Sequence, residues 1–154
     1  MQTELLIEKK LTIKVTAVHT DLIPIYASQG AAGADLKANI EKDVIIAPSS
    51  YALISTGLKM QIPEGYEVQI RPRSGLALKH GIFVLNSPGT IDSDYRGDIA
   101  VILANFGKTE FIVTPKMRIA QMIVAPVIQA LFHLSDELSS SNRGSQGFGH
   151  TGLQ

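Results

Sequence analysis

The chain has 154 residues, enough for one domain and short for two. Lys plus Arg and Asp plus Glu each number 14, so the formal net charge is zero, which argues against long-range steering onto nucleic acid or a membrane surface. The absence of cysteine excludes disulfides and thiolate metal sites. The opening MQTELLIEKK breaks at once into charges and does not read as a signal peptide, and no apolar run approaches the ~20 residues of a membrane span, so a soluble, cytoplasmic protein is expected.

Leu11, Ile13, Val15 and Ala17 alternate with Thr12, Lys14 and Thr16, which predicts a half-buried strand over Lys10 to Ala17. Further β-rich runs follow at Asp43 to Ala47, Tyr51 to Ile54, Tyr66 to Arg71, Ile82 to Leu85, Asp98 to Ala104, Phe111 to Thr114 and Ile119 to Val127. Turn residues separate them, among them Pro48-Ser49-Ser50, Pro63-Glu64-Gly65, Ser87-Pro88-Gly89 and Pro115-Lys116. One short helix is predicted, with Ser74 as N-cap, Leu76 to Lys79 as helix formers and Gly81 as terminator. The expectation is an all-β domain, a sandwich or barrel, over residues 1–136, followed by a polar linker and glycine-rich arm over 137–154.

Three segments could carry chemistry. IRPRSGLALKHG (70–81) sets Arg71 and Arg73 before a helix start, where free N–H groups and an arginine fork suit a phosphate; an arginine-flanked turn with a routine serine cap is the plainer alternative. GTIDSDYRGD (89–98) holds three carboxylates in seven residues and reads as a solvated hairpin turn or as a general base beside a tyrosine and an arginine. It is not an EF-hand, because Arg96 and Leu103 stand where oxygen ligands are needed.

RGSQGFGHTG (143–152) matches the spacing of a P-loop and of a dinucleotide fingerprint, but both need a helix after the glycines, and none is expected with two residues remaining. Its glycines could still wrap an anion, with Arg143 meeting a phosphate and Phe148 stacking on a base. The four histidines are scattered without metal-ligand spacing.

Taken together the chain resembles the trimeric deoxyuridine triphosphatase family, through five segments in order: AAGADLKA (31–38), RPRSGLALKHG (71–81), GTIDSDYRGD (89–98), RIAQMIVAP (118–126) and RGSQGFGHTG (143–152). The resemblance implies a distorted jelly-roll or β-clip barrel with one short helix and a flexible C-terminal arm. It implies hydrolysis of dUTP to dUMP and pyrophosphate with Mg²⁺, which keeps uracil out of DNA and supplies dUMP for thymidylate synthesis. It also implies a homotrimer whose sites are shared between three chains, the arm closing over bound substrate.

The resemblance assigns the following roles. Asp92 activates the attacking water. Arg73, Ser74 and Gly75 contact phosphates, Gln121 lies near the α-phosphate, and Asp35 supports the magnesium shell through water. Asn86, the backbone from Thr90 through Ile91 to Asp92, and the backbone of Ala100 read the uracil edge. Tyr95 packs under the deoxyribose. Arg143 clamps the γ-phosphate end, Phe148 covers the uracil, and Ser145 and Thr151 add polar contacts. Pro88 and Gly89 fit a tight hairpin that would exclude the methyl of thymine. A deoxycytidine triphosphate deaminase shares this fold, but no glutamate stands between Glu67 and Glu110 to serve deamination. A non-catalytic nucleotide-binding module is the other alternative, and it would have no need for Asp92.

Overall fold

A computed structural model describes residues 11–147. Among these residues eleven strands are distributed over three antiparallel sheets, with one two-turn helix and a single 3₁₀ turn at Thr20–Leu22. The first sheet has the order β1 (Lys14–Ala17), β5 (Tyr51–Gln61), β9 (Ile99–Asn105), β7 (Ile82–Val84). The second has the order β2 (Ile25–Tyr26), β3 (Ala34–Lys37), β11 (Arg118–Pro126), β6 (Tyr66–Arg71), β8 (Gly89–Ile91). The third pairs β4 (Val44–Ile46) with β10 (Phe111–Val113).

Alternation decides which faces pack. On β9, Ile99, Val101 and Leu103 are buried, and on β6 Val68 and Ile70 are. They meet Leu36, Ile54, Leu58 and Val113 in one core fed by all three sheets. A fully buried aliphatic side chain contributes about 1.5–3 kcal/mol, so this core is the main source of stability. The all-β expectation holds, with the one helix α1 at Ser74–His80.

Several local expectations need correcting. Ser74 is the first helical residue and Arg73 occupies the N-cap, in an extended conformation with no side-chain cap bond. Gly81 ends the helix as expected, in the left-handed region at φ 68°. Strand β1 starts at Lys14 rather than Lys10. Strand β5 continues past Ile54 to Gln61, through two extra residues, Thr56 and Gly57, that bulge out between the pairs Ser55↔Ala100 and Leu58↔Ile99.

The expected hairpins around Pro88-Gly89 and residues 92–98 are instead corners between sheets. β7 pairs with β9, β8 pairs with β6, and β9 pairs with β5. The Ser87–Pro88 bond at the first corner is cis. After Pro126 the described residues contain no strand or helix, and Ile128, Leu131, Phe132, Leu134 and Leu138 are almost fully exposed.

Candidate active site

Strands β3, β11 and β6 lie side by side, and the helix α1 follows β6 at one end. There they enclose a cleft of about 720 Å³ lined by Gly33, Asp35, Arg71, Arg73, Ser74, Gly75, Lys79, Arg118 and Gln121, among others. Four cations, Arg71, Arg73, Lys79 and Arg118, face one carboxylate, Asp35. Such a cleft attracts a polyanion of small size.

A bulge on β11 shapes this cleft. Arg118 pairs with Lys37 and Ala120 with Leu36, so Ile119 is an inserted residue. Ile119 and Ala120 are both buried. Arg118 and Gln121, three residues apart, would face opposite sides of a regular strand. The insertion resets the alternation, so both side chains reach the cleft.

Asp35 lies directly across from Gln121 in the strand register. Its Oδ1 accepts from Arg73 Nε at 3.1 Å and its Oδ2 from Arg118 Nη1 at 3.3 Å. Arg73 Nη1 also donates to the Arg118 carbonyl at 3.2 Å. Gln121 Nε2 donates to the Pro72 carbonyl at 2.9 Å, tying β11 to the residue before Arg73. The amides of Leu76 and Ala77 already reach the Arg73 carbonyl, at 3.1 and 3.0 Å. The N–H groups of Ser74 and Gly75 precede them, at the helix start where no intrahelical acceptor exists.

Asp92 is elsewhere. It is exposed beyond the end of β8 and lines a second cleft of about 1120 Å³ with Glu64, Glu67, Asp94, Arg96, Tyr66 and Ile128, among others. Four carboxylates face one arginine there, the reverse of the first cleft. Asp92 and Arg73 therefore do not meet within one chain.

The uracil-reading candidates gather at the inter-sheet corner. Leu85 N–H donates to the Ile102 carbonyl at 2.8 Å, so the β7–β9 register runs on and carries Asn86 toward the end of β9 where Ala100 lies. A Cβ on Gly89 would stand 3.3 Å from Asn86 Nδ2, so the missing side chain lets the amide pack down on the strand. Thr90 is exposed opposite Gln69, and Ile91 is half-buried opposite Val68. Tyr95 is 44% exposed; its hydroxyl donates to the Asp98 carbonyl at 2.9 Å and its N–H to the Asp92 carbonyl at 3.2 Å.

Arg143 and Ser145 sit on an exposed turn, in which Arg143 Nε donates to the Gln146 carbonyl at 2.8 Å. Phe148 and Thr151 lie outside the described residues. Among the described residues no group of three or more His, Cys, Asp or Glu is arranged to hold a metal, and no helix is long and apolar enough to cross a membrane.

Asp35, Arg73, Ser74, Gly75 and Gln121, to which the resemblance assigns phosphate and magnesium roles, line one cleft. Sequence reasoning gave no role to Gly33, Lys79 or Arg118. Lys79 was legible only as a helix former. Arg118 carried one signal, its position three residues before Gln121, but the bulge that unites them cannot be seen in the spacing.

The deoxyuridine triphosphatase (dUTPase) family model matches residues 21–152. Among similar proteins is the deoxyuridine 5′-triphosphate nucleotidohydrolase of Chlamydia felis, 62% identical over 133 residues, covering 84% of this chain and 90% of its own. Those of Chlamydia pneumoniae and Roseobacter denitrificans are 65% and 63% identical over 131 residues, each covering 84% of this chain and 90% and 86% of their own. In fold the chain is similar to the dUTPase of Staphylococcus bacteriophage 80alpha, solved with dUPNHPP, at a TM-score of 0.83 and 23% identity over 94% of this chain and 100% of that one. The dUTPase of phage phi11, solved as a variant with a structural Mg(II) ion, gives a TM-score of 0.74 at 20% identity over 84% of this chain and 100% of that one. With the family model spanning most of its length and relatives of this similarity, the chain belongs to the dUTPase family.

Proposed function

We propose that the chain is a dUTP nucleotidohydrolase whose sites are each completed by three copies of the chain. The observation that carries the reading is the separation of a cationic cleft holding Arg73 from an acidic cleft holding Asp92. Opposite charge on two surfaces of one molecule favours docking of copies, and docking would bring the base to the phosphates. The names of relatives at 62–65% identity support the substrate.

In the assembled site Asp92 orients a water and takes its proton as the oxygen attacks the α-phosphorus. The bond from that phosphorus to the bridging oxygen breaks, and pyrophosphate leaves with the electron pair. Phosphoryl transfer needs positioning and charge neutralisation more than covalent help. Arg73, the N–H groups of Ser74 and Gly75, and Gln121 supply these at the phosphates. Asn86, the backbone of Thr90, Ile91 and Ala100 read the uracil edge, because a site built for that edge leaves polar groups unpaired against cytosine. Tyr95 fills the space a 2′-hydroxyl would need. Arg143, Ser145, Phe148 and Thr151 belong to the arm that closes over the substrate, and 137–154 forms that arm on a domain of residues 1–136.

Mg²⁺, when bound with the triphosphate, would neutralise phosphate charge. The residues fit an ion that arrives with its substrate: there is no carboxylate cage among those described. Asp35 spends one bond per oxygen on arginine and keeps lone pairs for a water of the ion's shell. The product dUMP would serve thymidylate synthesis, and removal of dUTP would keep uracil out of DNA.

Incubation with dUTP or dCTP and Mg²⁺ tests the reading. Pyrophosphate from dUTP alone is the expected result. Ammonia from dCTP would make the chain a deaminase, and no product from either would make it a binding module.

A further inference from the structure

Tyr95 is held from behind by the loop residues that lead into β9. Its hydroxyl donates to the Asp98 carbonyl at 2.9 Å. Its ring lies across Gly97, where a Cβ would stand 2.5 Å from Cζ and 2.9 Å from Cε2. The orientation of the ring is thus set by where the backbone of Gly97 and Asp98 runs.

That backbone is gripped by the bulge of β5. Ser55 Oγ donates to Asp98 Oδ2 at 2.8 Å, and Thr56 Oγ1 donates to the Ile99 carbonyl at 2.5 Å from a fully buried position. Ser55 Oγ is itself oriented, because it accepts from Gly57 N–H at 3.0 Å. The bulge is anchored on two sides: Asn39 N–H donates to the Ser55 carbonyl at 2.8 Å and Val18 N–H to the Gly57 carbonyl at 3.0 Å. Gly57 takes φ 67°, a conformation that favours glycine, under the side chain of Asn39. Ser55 pairs with Ala100 as the last regular pair before the bulge, and its hydroxyl reaches diagonally to Asp98, two residues before Ala100.

We infer that Ser55 is a positioning residue for sugar discrimination: through Asp98 it fixes the platform of Tyr95 against which the 2′ position of the substrate is measured. The inference rests on the reading of Tyr95 as the deoxyribose platform. A platform that tilts admits the extra hydroxyl of a ribonucleotide, so the defect falls on the choice between dUTP and UTP. A general loss of fold would instead lower both substrates together.

The test is the ratio of kcat/KM for dUTP to that for UTP in Ser55→Ala, Ser55→Thr, Tyr95→Phe, Tyr95→Ala and Ser55→Ala/Tyr95→Phe, with thermal unfolding followed in each. Ser55→Ala is expected to lower the ratio about tenfold, the scale of one hydrogen bond to a charged group, and Ser55→Thr to restore it. The double variant is expected to match Tyr95→Phe, since both changes cut one chain of contacts. A ratio within twofold of wild type in Ser55→Ala, while Tyr95→Ala lowers it, would overturn the inference and leave the platform reading standing. A ratio unchanged in Tyr95→Ala would sink the platform reading and this inference with it. Should Ser55→Ala not fold, Asp98→Ala cuts the same link from the other side and must show the same fall.

Discussion

Gln121 lies across Gly33. A Cβ on Gly33 would stand 3.1 Å from Gln121 Cδ and 3.3 Å from its Cβ, while Gln121 Nε2 holds the Pro72 carbonyl at 2.9 Å. The glycine is needed here for the close approach of a side chain, with no call on an unusual φ. Gly33→Ala is expected to push the amide off Pro72 and out of the cleft. Steady-state kinetics should show kcat/KM for dUTP down about tenfold, the scale of one misplaced polar contact, with the melting temperature nearly unchanged.

Asp35 joins the first and fourth motifs to the second by bonding both Arg73 and Arg118. Its side chain is 18% exposed and that of Arg73 28%, so the pair is only partly screened. Asp35→Ala should release both guanidiniums, raise KM for dUTP roughly tenfold and cost about 1 kcal/mol of stability. Asp35→Asn, which keeps an acceptor, should fall between. Kinetics and chemical denaturation on the same samples would separate the two effects.

The five motifs were legible in the sequence because each is contiguous, and their chemistry depends on residue type. Strand β6 was read residue for residue: Tyr66, Val68 and Ile70 alternate with polar residues after a Pro-Glu-Gly turn. Strands β3 and β8 were not. Ala34–Lys37 has little β propensity of its own and is held by pairing with β11, some 80 residues away in sequence, as Gln121↔Asp35 illustrates. Strand β5 was cut short because Ser55, Thr56 and Gly57 interrupt the alternation, and that interruption is the bulge. Which strands share a sheet is a long-range property, so the corners at Pro88 and at residues 92–98 looked like hairpins.

Two inactive variants should rescue each other. Arg73→Ala removes a phosphate contact and Asp92→Asn removes the proposed base, which should cost turnover at least about 100-fold while leaving dUTP binding intact. If the proposed trimer shares its sites, mixed assemblies of the two variants at equal ratio contain about a quarter of sites with both residues native. Activity should return to that level after subunits are exchanged through reversible denaturation. Mixtures no more active than either parent would place Arg73 and Asp92 of one chain in one site.

Removal of the residues from Arg143 onward should leave the fold as it is. Among the described residues Arg143 bonds only locally, to Gln146, and no strand or helix lies beyond Pro126. Circular dichroism and sedimentation should match the full chain, while kcat falls by about 100-fold or more, as expected when closure of an arm completes a site. An unfolded product would show that the arm is structural; full activity would show that it is idle.

The exposed row of Ile128, Leu131, Phe132, Leu134 and Leu138 sets a condition on how the protein is born. If the proposed trimer covers this segment, a newly made chain would carry it exposed until copies are at hand. Assembly then competes with sticking to the wrong neighbour, and the outcome is a matter of concentration and time. Expression level, and not sequence alone, thereby becomes part of what makes the enzyme.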